Sequence, residues 1–243
     1  FSTDGGKVIF TSSATNLVAD DTNGLSDIFV KDLVSGAITR VNTNSAGEQA
    51  TGSTSGGTLS ADATKVLFAS SATNLVSGDT NGQMDLFVKD LITGVVTRVN
   101  TTAGGLQAIG GASSGASFSP DGTKVLFSSS ATNLVSGDTN GQQDVFLKDL
   151  VTGAVSRLNT NDLNTQATGG GSSSASFSPD GTRVIFTSAA INLVTGDSNG
   201  FDDVFVVELA GVDAGGVDTV RSSISHTLAQ YIEKLELTGT ADL

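Results

Sequence analysis

The feature that most constrains this chain is a unit of about 59 residues written four times. The run FSPDGTKVLFSSSATNLVSGDTNGQQDVFLKDLVTGAVSRLN (Phe118 to Asn159) shows it most fully, and its first residue recurs at Phe1, Leu59, Phe118 and Phe177, spaced 58, 59 and 59 apart. A unit of that size cannot bury its apolar surface alone. Neighbouring units must cover one another, so the repeat sets the architecture before any single residue is weighed.

Each unit reads as four short strands. In the third, GASFS (Gly115–Ser119) is followed by a turn, SPDGT, where Pro120 suits a corner and Gly122 is free to take a positive φ. KVLFSS (Lys124–Ser129) is the second strand, DVFLKDL (Asp144–Leu150) the third and AVSRLNT (Ala154–Thr160) the fourth. Strands two and three carry apolar residues on both faces: Val125 and Phe127 against Leu126, then Val145 and Leu147 against Phe146. A half-exposed sheet would alternate apolar with polar residues instead. Four short strands per unit, apolar on both faces and repeated in tandem, predict an all-β fold: a β-propeller, or a propeller segment, of four four-stranded blades. A stacked β-solenoid is the competitor, but its coils are shorter. Gly/Ser/Thr-rich stretches such as Asn159–Ala175 link the units, and their similar length in every copy favours ordered crossings over free linkers.

The fourth unit departs from the pattern. Lys148-Asp149 becomes Val207-Glu208, the following turn lengthens to Ala210–Gly216, and VDTVRSS (Val217–Ser223) stands where a last strand belongs, with Arg221 in the place of Arg157. The expected division is 1–215 for the repeats and 216–243 for a last strand and the start of a second β module. Thr227–Lys234 is the one stretch that reads as a short helix.

Composition narrows the function classes. Twelve Lys and Arg against 25 Asp and Glu leave a net charge of −13, which argues against nucleic acid and against an anionic membrane surface. Cysteine is absent, so disulfides are excluded. No stretch approaches the roughly 20 apolar residues of a membrane helix. The chain opens in mid-pattern at Phe1, which reads as a fragment or a mature segment.

The blade pattern resembles the TolB-type propeller repeat, a relative of the WD-type repeats. The residues that carry the resemblance are SPDGTKVLFSS (Ser119–Ser129), DVFLKDLVTG (Asp144–Gly153) and SRLN (Ser156–Asn159), in order in one unit and recurring through about residues 1–209. The departure is a longer connection between strands two and three, carrying NLVSGDTNG. The turn is also blurred to Ser2–Gly5 and Ser60–Ala63 in the first two copies. The tail Gly216–Leu243 resembles the segment that precedes calcium-binding nonapeptides in repeats-in-toxin proteins, although the nonapeptides are absent. That second resemblance implies type I secretion, and a longer chain.

The long connection brings an acidic loop round four times: Asp, hydroxyl residue, Asn, Gly, two variable residues, Asp. Its copies are Asp21-Asn23-Asp27, Asp79-Asn81-Asp85, Asp138-Asn140-Asp144 and Asp197-Asn199-Asp203. Calcium takes six to eight oxygens, and two carboxylates with an amide suggest weak sites, on the order of 10⁻⁴ to 10⁻³ M. The same letters also make a turn, because Asp and Asn bond to nearby backbone and Gly accepts positive φ. The Asn-Leu pairs before each loop (Asn16-Leu17, Asn74-Leu75, Asn133-Leu134, Asn192-Leu193) read either as a ligand groove or, the favoured reading, as a Leu anchor beside an Asn that satisfies backbone groups. Lys31-Asp32, Lys89-Asp90 and Lys148-Asp149, with Arg40, Arg98 and Arg157, read as surface ion pairs.

For catalysis, a nucleophile needs a base beside it, and the only histidine, His226, lies in the tail outside the repeats. No Cys/His cluster can hold zinc. Every prominent Asp is a repeated element, whereas chemistry sits at one unique place. The expectation is therefore a non-enzymatic, secreted or cell-surface, calcium-stabilised propeller with a structural or adhesive role toward a protein or glycan. The alternatives are a periplasmic protein-interaction propeller of the TolB type and a propeller of a carbohydrate-active enzyme. Four blades are few for a ring, so upstream blades or pairing of chains would complete it.

Overall fold

The computed structural model describes residues 1–209, 219–222 and 234–237. No helix occurs among them. Strands fall where the repeat places them. Blade 1 is β1 (Lys7–Ser12), β2 (Asp27–Asp32) and β3 (Ile38–Arg40). Blade 2 is β4 (Thr54–Leu59), β5 (Lys65–Ser70), β6 (Asp85–Asp90) and β7 (Val96–Arg98). Blade 3 is β8 (Ser113–Phe118), β9 (Lys124–Ser129), β10 (Asp144–Asp149) and β11 (Val155–Arg157). Blade 4 is β12 (Ser172–Phe177), β13 (Arg183–Ser188) and β14 (Asp203–Glu208). Each is an antiparallel meander, one strand hydrogen-bonded to the next in chain order.

Among the described residues, two of the four blade sheets have three strands rather than the expected four. In blade 1, Phe1 occupies the register of Leu59 and Phe118, the residues that end the inner strand in blades 2 and 3. In blade 4 the segment expected as the last strand does not join β14: β15 (Thr219–Ser222) pairs in parallel with β16 (Lys234–Leu237) in a separate two-stranded sheet. Lys234, expected to end a short helix, opens β16. The rest of the predicted helix and His226 lie outside the described residues.

The doubly apolar strands are explained by what lies on either side of them. One buried cluster joins blades 1 and 2 through Ile28, Val30, Val66, Phe68 and Phe87. A second joins blades 2 and 3 through Leu67, Leu86, Val125, Phe127 and Phe146. A third joins blades 3 and 4 through Leu126, Val145, Val184 and Phe186. Alternate residues of one strand thus serve opposite joints, as Leu67 and Phe68 do. Within each blade, Phe10–Phe29, Phe68–Phe87, Phe127–Phe146 and Phe186–Phe205 face across the strand pair with ring centroids 5.5–5.7 Å apart. Such pairs contribute about 0.5–1.5 kcal/mol each beyond burial. These tandem meanders, packed face to face, are propeller blades.

The inner strands bend at a bulge, between Ser55 and Thr58, Ser114 and Ser117, and Ser173 and Ser176. The bulge needs a left-handed residue, and Gly115 supplies it in blade 3 at φ 63°. The crossings between blades are ordered. Gly52, Gly111 and Gly170 press onto the segment after the second strand so closely that an added Cβ would lie 2.5–2.8 Å from its atoms, backbone in every case among them.

Candidate functional site: acidic loops and their arginines

The repeated Asp residues open strand three of each blade and lie in the loop before it, so they gather at one end of each sheet. In blade 2, Asp85 is the hub. Its Oδ1 accepts from Asn100 Nδ2 at 2.5 Å, and its Oδ2 lies 3.3 Å from Arg98 Nη1. The same guanidinium nitrogen stands 3.3 Å from Asp79 Oδ1 and donates to Gln107 Oε1 at 3.1 Å. Gln107 in turn accepts from Thr80 N and donates to Thr80 Oγ1 at 2.8 Å, which clamps the loop. Asn81 donates to Asp85 and to the Ala108 carbonyl, while its own carbonyl accepts from Gln83 N at 2.9 Å.

Blades 1 and 3 repeat this residue for residue. Arg40 lies 3.4 Å from both Asp21 and Asp27, and Arg157 lies 3.6 and 3.3 Å from Asp138 and Asp144. The hub carboxylates Asp27, Asp85 and Asp144 are 0%, 1% and 0% exposed, so no solute can reach them. From each hub a chain of polar groups runs into the next blade. Asn159 Nδ2 bridges Asp144 Oδ1 at 2.6 Å and Ser172 Oγ at 3.0 Å, and Ser172 bonds Ser188 at 2.8 Å. Asn42 and Asn100 do the same through Thr54 and Ser113. The second Asp is less comfortable. Burial, then the neighbouring Asp85 or Asp144, pushes the Asp79 and Asp138 carboxyls above their ordinary range against the pull of Arg98 and Arg157.

This corrects the surface ion pairs. Arg40, Arg98 and Arg157 are buried partners of the loops, not of Asp32, Asp90 and Asp149. Those three aspartates cap the next turn instead, each accepting two backbone N–H groups; Asp90 Oδ1, for example, takes Ile92 N and Thr93 N. Lys89 and Lys148, 7% and 6% exposed, reach into the preceding blade. Lys89 Nζ donates to Thr43 O, Thr43 Oγ1 and Asn44 O at 3.0–3.1 Å. Adjacent letters in a strand point to opposite faces, so a Lys-Asp pair in sequence is not a pair in space.

Of the twelve residues expected to offer oxygens to calcium, the nine in blades 1–3 are brought together around a guanidinium. Their Asn carbonyls are spent on backbone N–H groups and their Asn amides face the carboxylate. That donor set does not fit calcium. In blade 4, Asn199 donates to Asp203 at 3.2 Å, and no described guanidinium stands within ion-pair range of Asp197 or Asp203. Among the described residues no group of three or more His, Cys, Asp or Glu could hold a metal ion. Sequence reading missed Asn42, Asn100, Asn159, Gln49, Gln107 and Gln166. Their signal was recurrence at the repeat spacing, beside the arginines.

Among solved structures, the chain is similar to the tricorn protease, with a TM-score of 0.55 and 14% identity over 94% of this chain and 19% of that one. The likeness is one of fold. The chain is a β-propeller segment. It also aligns with TolB from Acinetobacter baumannii (TM-score 0.44, 20% identity, 84% of this chain, 39% of that one). A third alignment is to the beta-propeller domain of the Trilobed protease from Pyrococcus furiosus (TM-score 0.49, 13% identity, 84% and 52%). The chain therefore spans only part of the length of each. No family model and no curated protein matches it. Among the described residues, no helix is long and apolar enough to cross a membrane.

Proposed function

We propose that this propeller is a protein-interaction module of the TolB type, working outside the cytoplasm, and not a catalyst. The observation that carries the reading is a ladder of aliphatic side chains on the turns between strands three and four: Val34, Ile92 and Val151 are 91%, 78% and 79% exposed, one in each of blades 1–3 at the same position. Leu106 and Leu163 in the crossings and Phe201 in the blade 4 loop, 69%, 85% and 76% exposed, add further apolar surface, and a repeated exposed aliphatic suits a protein partner better than a sugar. Two further observations support a role without chemistry. In blades 1–3 the repeated carboxylates are buried and paired with an arginine inside the blade. An open groove of about 520 Å³ between blades 1 and 2 is lined by groups such as Asn44, Thr73, Asn74 and Val96, with no titratable side chain.

The test is affinity capture from a periplasmic extract of the producing cell, comparing the chain with a variant carrying Val34→Glu, Ile92→Glu and Val151→Glu. A protein retained by the first and lost by the second, with melting unchanged, is the expected result. Retention or turnover of a glycan instead would replace the reading.

The secreted, calcium-stabilised reading keeps one observation in its favour, the fourth loop, whose Asp197 and Asp203 are half-buried where their counterparts are buried. It rests otherwise on the tail sequence. Melting in calcium and then in excess chelator separates the two: a shift abolished by Asp197→Ala supports calcium at that loop, and unchanged melting removes calcium from the account.

A further inference from the structure

We infer that the outer face of blade 1 is the receiving half of another interblade joint, and that its occupant is a blade of this same repeat other than the four described here. The three joints within the chain share the Asn latch and the apolar floor, and the first two add a lysine, Val207 standing in its place in blade 4. Lys89 and Lys148 each enter the Asn-Thr crossing of the preceding blade, Lys148 Nζ bonding Thr101 O, Thr101 Oγ1 and Thr102 O at 3.0–3.3 Å. Asn74, Asn133 and Asn192 each latch the same crossing from the side. Their amides donate to the carbonyls of Gln49, Gln107 and Gln166 at 2.8–2.9 Å, and their carbonyls accept from Thr51 N, Ile109 N and Thr168 N at 2.8–3.0 Å. Leu75, Leu134 and Leu193 are buried beside them, as are the Val66–Phe68, Val125–Phe127 and Val184–Phe186 pairs.

Blade 1 carries the whole set on the corresponding face: Lys31 for the crossing, Asn16 for the latch, and Leu17, Val8 and Phe10 for the apolar floor. The register is the same, Lys31 opposite Val8 as Lys89 is opposite Val66. Among the described residues, neither the Lys31 amine nor the Asn16 amide meets a hydrogen-bond partner. Asn16 is exposed, and Leu17, Val8 and Phe10 are only partly covered.

The polar groups choose the occupant. Lys31 requires the carbonyl and hydroxyl of an Asn-Thr crossing, and Asn16 requires the carbonyl of the Gln that follows. Within this chain the Thr43 and Thr101 acceptors are taken by Lys89 and Lys148, and blade 4 covers the third crossing. A second copy could bring only blade 4, whose Ile185, Val204 and Val206 are 44%, 63% and 59% exposed. After that blade, however, the sequence has Ser223-Ile224 in place of Asn159-Thr160 and Tyr231 in place of Ala167, a residue that is 0% exposed in its joint. The occupant is therefore a blade ending in Asn-Thr, with Gln-Ala six residues beyond the Thr as in Gln166-Ala167.

The test adds such a blade to the chain. Residues 113–176 are placed ahead of Phe1, so that Phe1 takes the register of Phe177. Amine labelling of the native protein is read by mass spectrometry, residue by residue. In the original chain Lys31 labels at least about tenfold faster than Lys89 and Lys148, as an amine without acceptors should. In the extended chain it slows to their rate, the β1 amides gain protection from hydrogen exchange, and Thr160→Val in the added copy restores part of the fast labelling. An extension that leaves Lys31 labelling unchanged, or that unfolds separately from the rest, overturns the inference. So does an original chain that sediments as a dimer with Lys31 already protected, which would make the occupant a second copy.

Discussion

Blades 3 and 4 carry nearly the same letters and live in different surroundings. In blade 3, Leu126 and Val145 are 0% exposed, and Asp144 is locked by Arg157, Asn159 and Asn140. In blade 4 their counterparts Ile185 and Val204 are exposed and Asp203 is met only by Asn199 among the described residues. Gly115 makes the blade 3 bulge, and Ser174 makes the blade 4 bulge at φ 54°. The lesson is that a repeat motif specifies what a blade can do, while its neighbour decides how much of that is realised.

The sharpest test of the contrast is the hub. Asp144→Ala leaves the buried Arg157 charge and the Asn159 amide without their acceptor and is expected to cost about 3–5 kcal/mol in denaturant unfolding. Asp203→Ala should cost less than about 1 kcal/mol. Equal losses would mean that the blade 4 loop is locked as tightly as the others.

The joint comes next. Leu126→Ala opens a cavity between blades 3 and 4 and should cost about 2–5 kcal/mol, whereas Ile185→Ala should cost under about 1 kcal/mol. A large effect at Ile185 would show that its face is covered in solution.

At the bulge the sign reverses. Ser174→Gly removes a side chain from the left-handed region and is expected to stabilise blade 4 by up to about 1 kcal/mol, while Gly115→Ala destabilises blade 3 by a similar amount. Thermal melting of the two variants checks both.

The smallest effect is one of pH. The Ser119 hydroxyl and then Thr123 N hold Asp121 down to about 2, and Ser178 and Thr182 do the same for Asp180. Folded values below the unfolded 3.8 mean that these turns contribute stability above that pH and lose it as pH falls through about 2. Asp138 runs the other way: raised by burial, it contributes below 3.8 and loses that contribution as pH rises through its folded value. Melting between about pH 2 and 4.5 should therefore fall on acidification, and Asp121→Asn and Asp180→Asn should each flatten the slope.

Much of this was legible in the chain. The repeat spacing located strands two and three of every blade, because alternation of large apolar residues on both faces leaves a sandwiched sheet as the only way to bury them. The SPDG turn followed from Pro120 and Gly122, and the ordered crossings from the similar length of the linking stretches in every copy. The loop could be read as turn or metal site but not decided. Asp85 and Arg98 are 13 residues apart on different strands, and their meeting depends on a register that places Arg98 opposite Phe87.

By itself, then, the order of residues determined the unit, its strands and the acidic turn that closes each blade, since these rest on local periodicity and backbone preference. Only the packed structure decided that the arginines neutralise the loops, that Lys89 and Lys148 belong to their neighbours, and that the two outer faces differ from the joints within. Those outcomes depend on which surfaces meet across a distance the chain must fold to close, and burial, not composition, sets the strength of every charge involved.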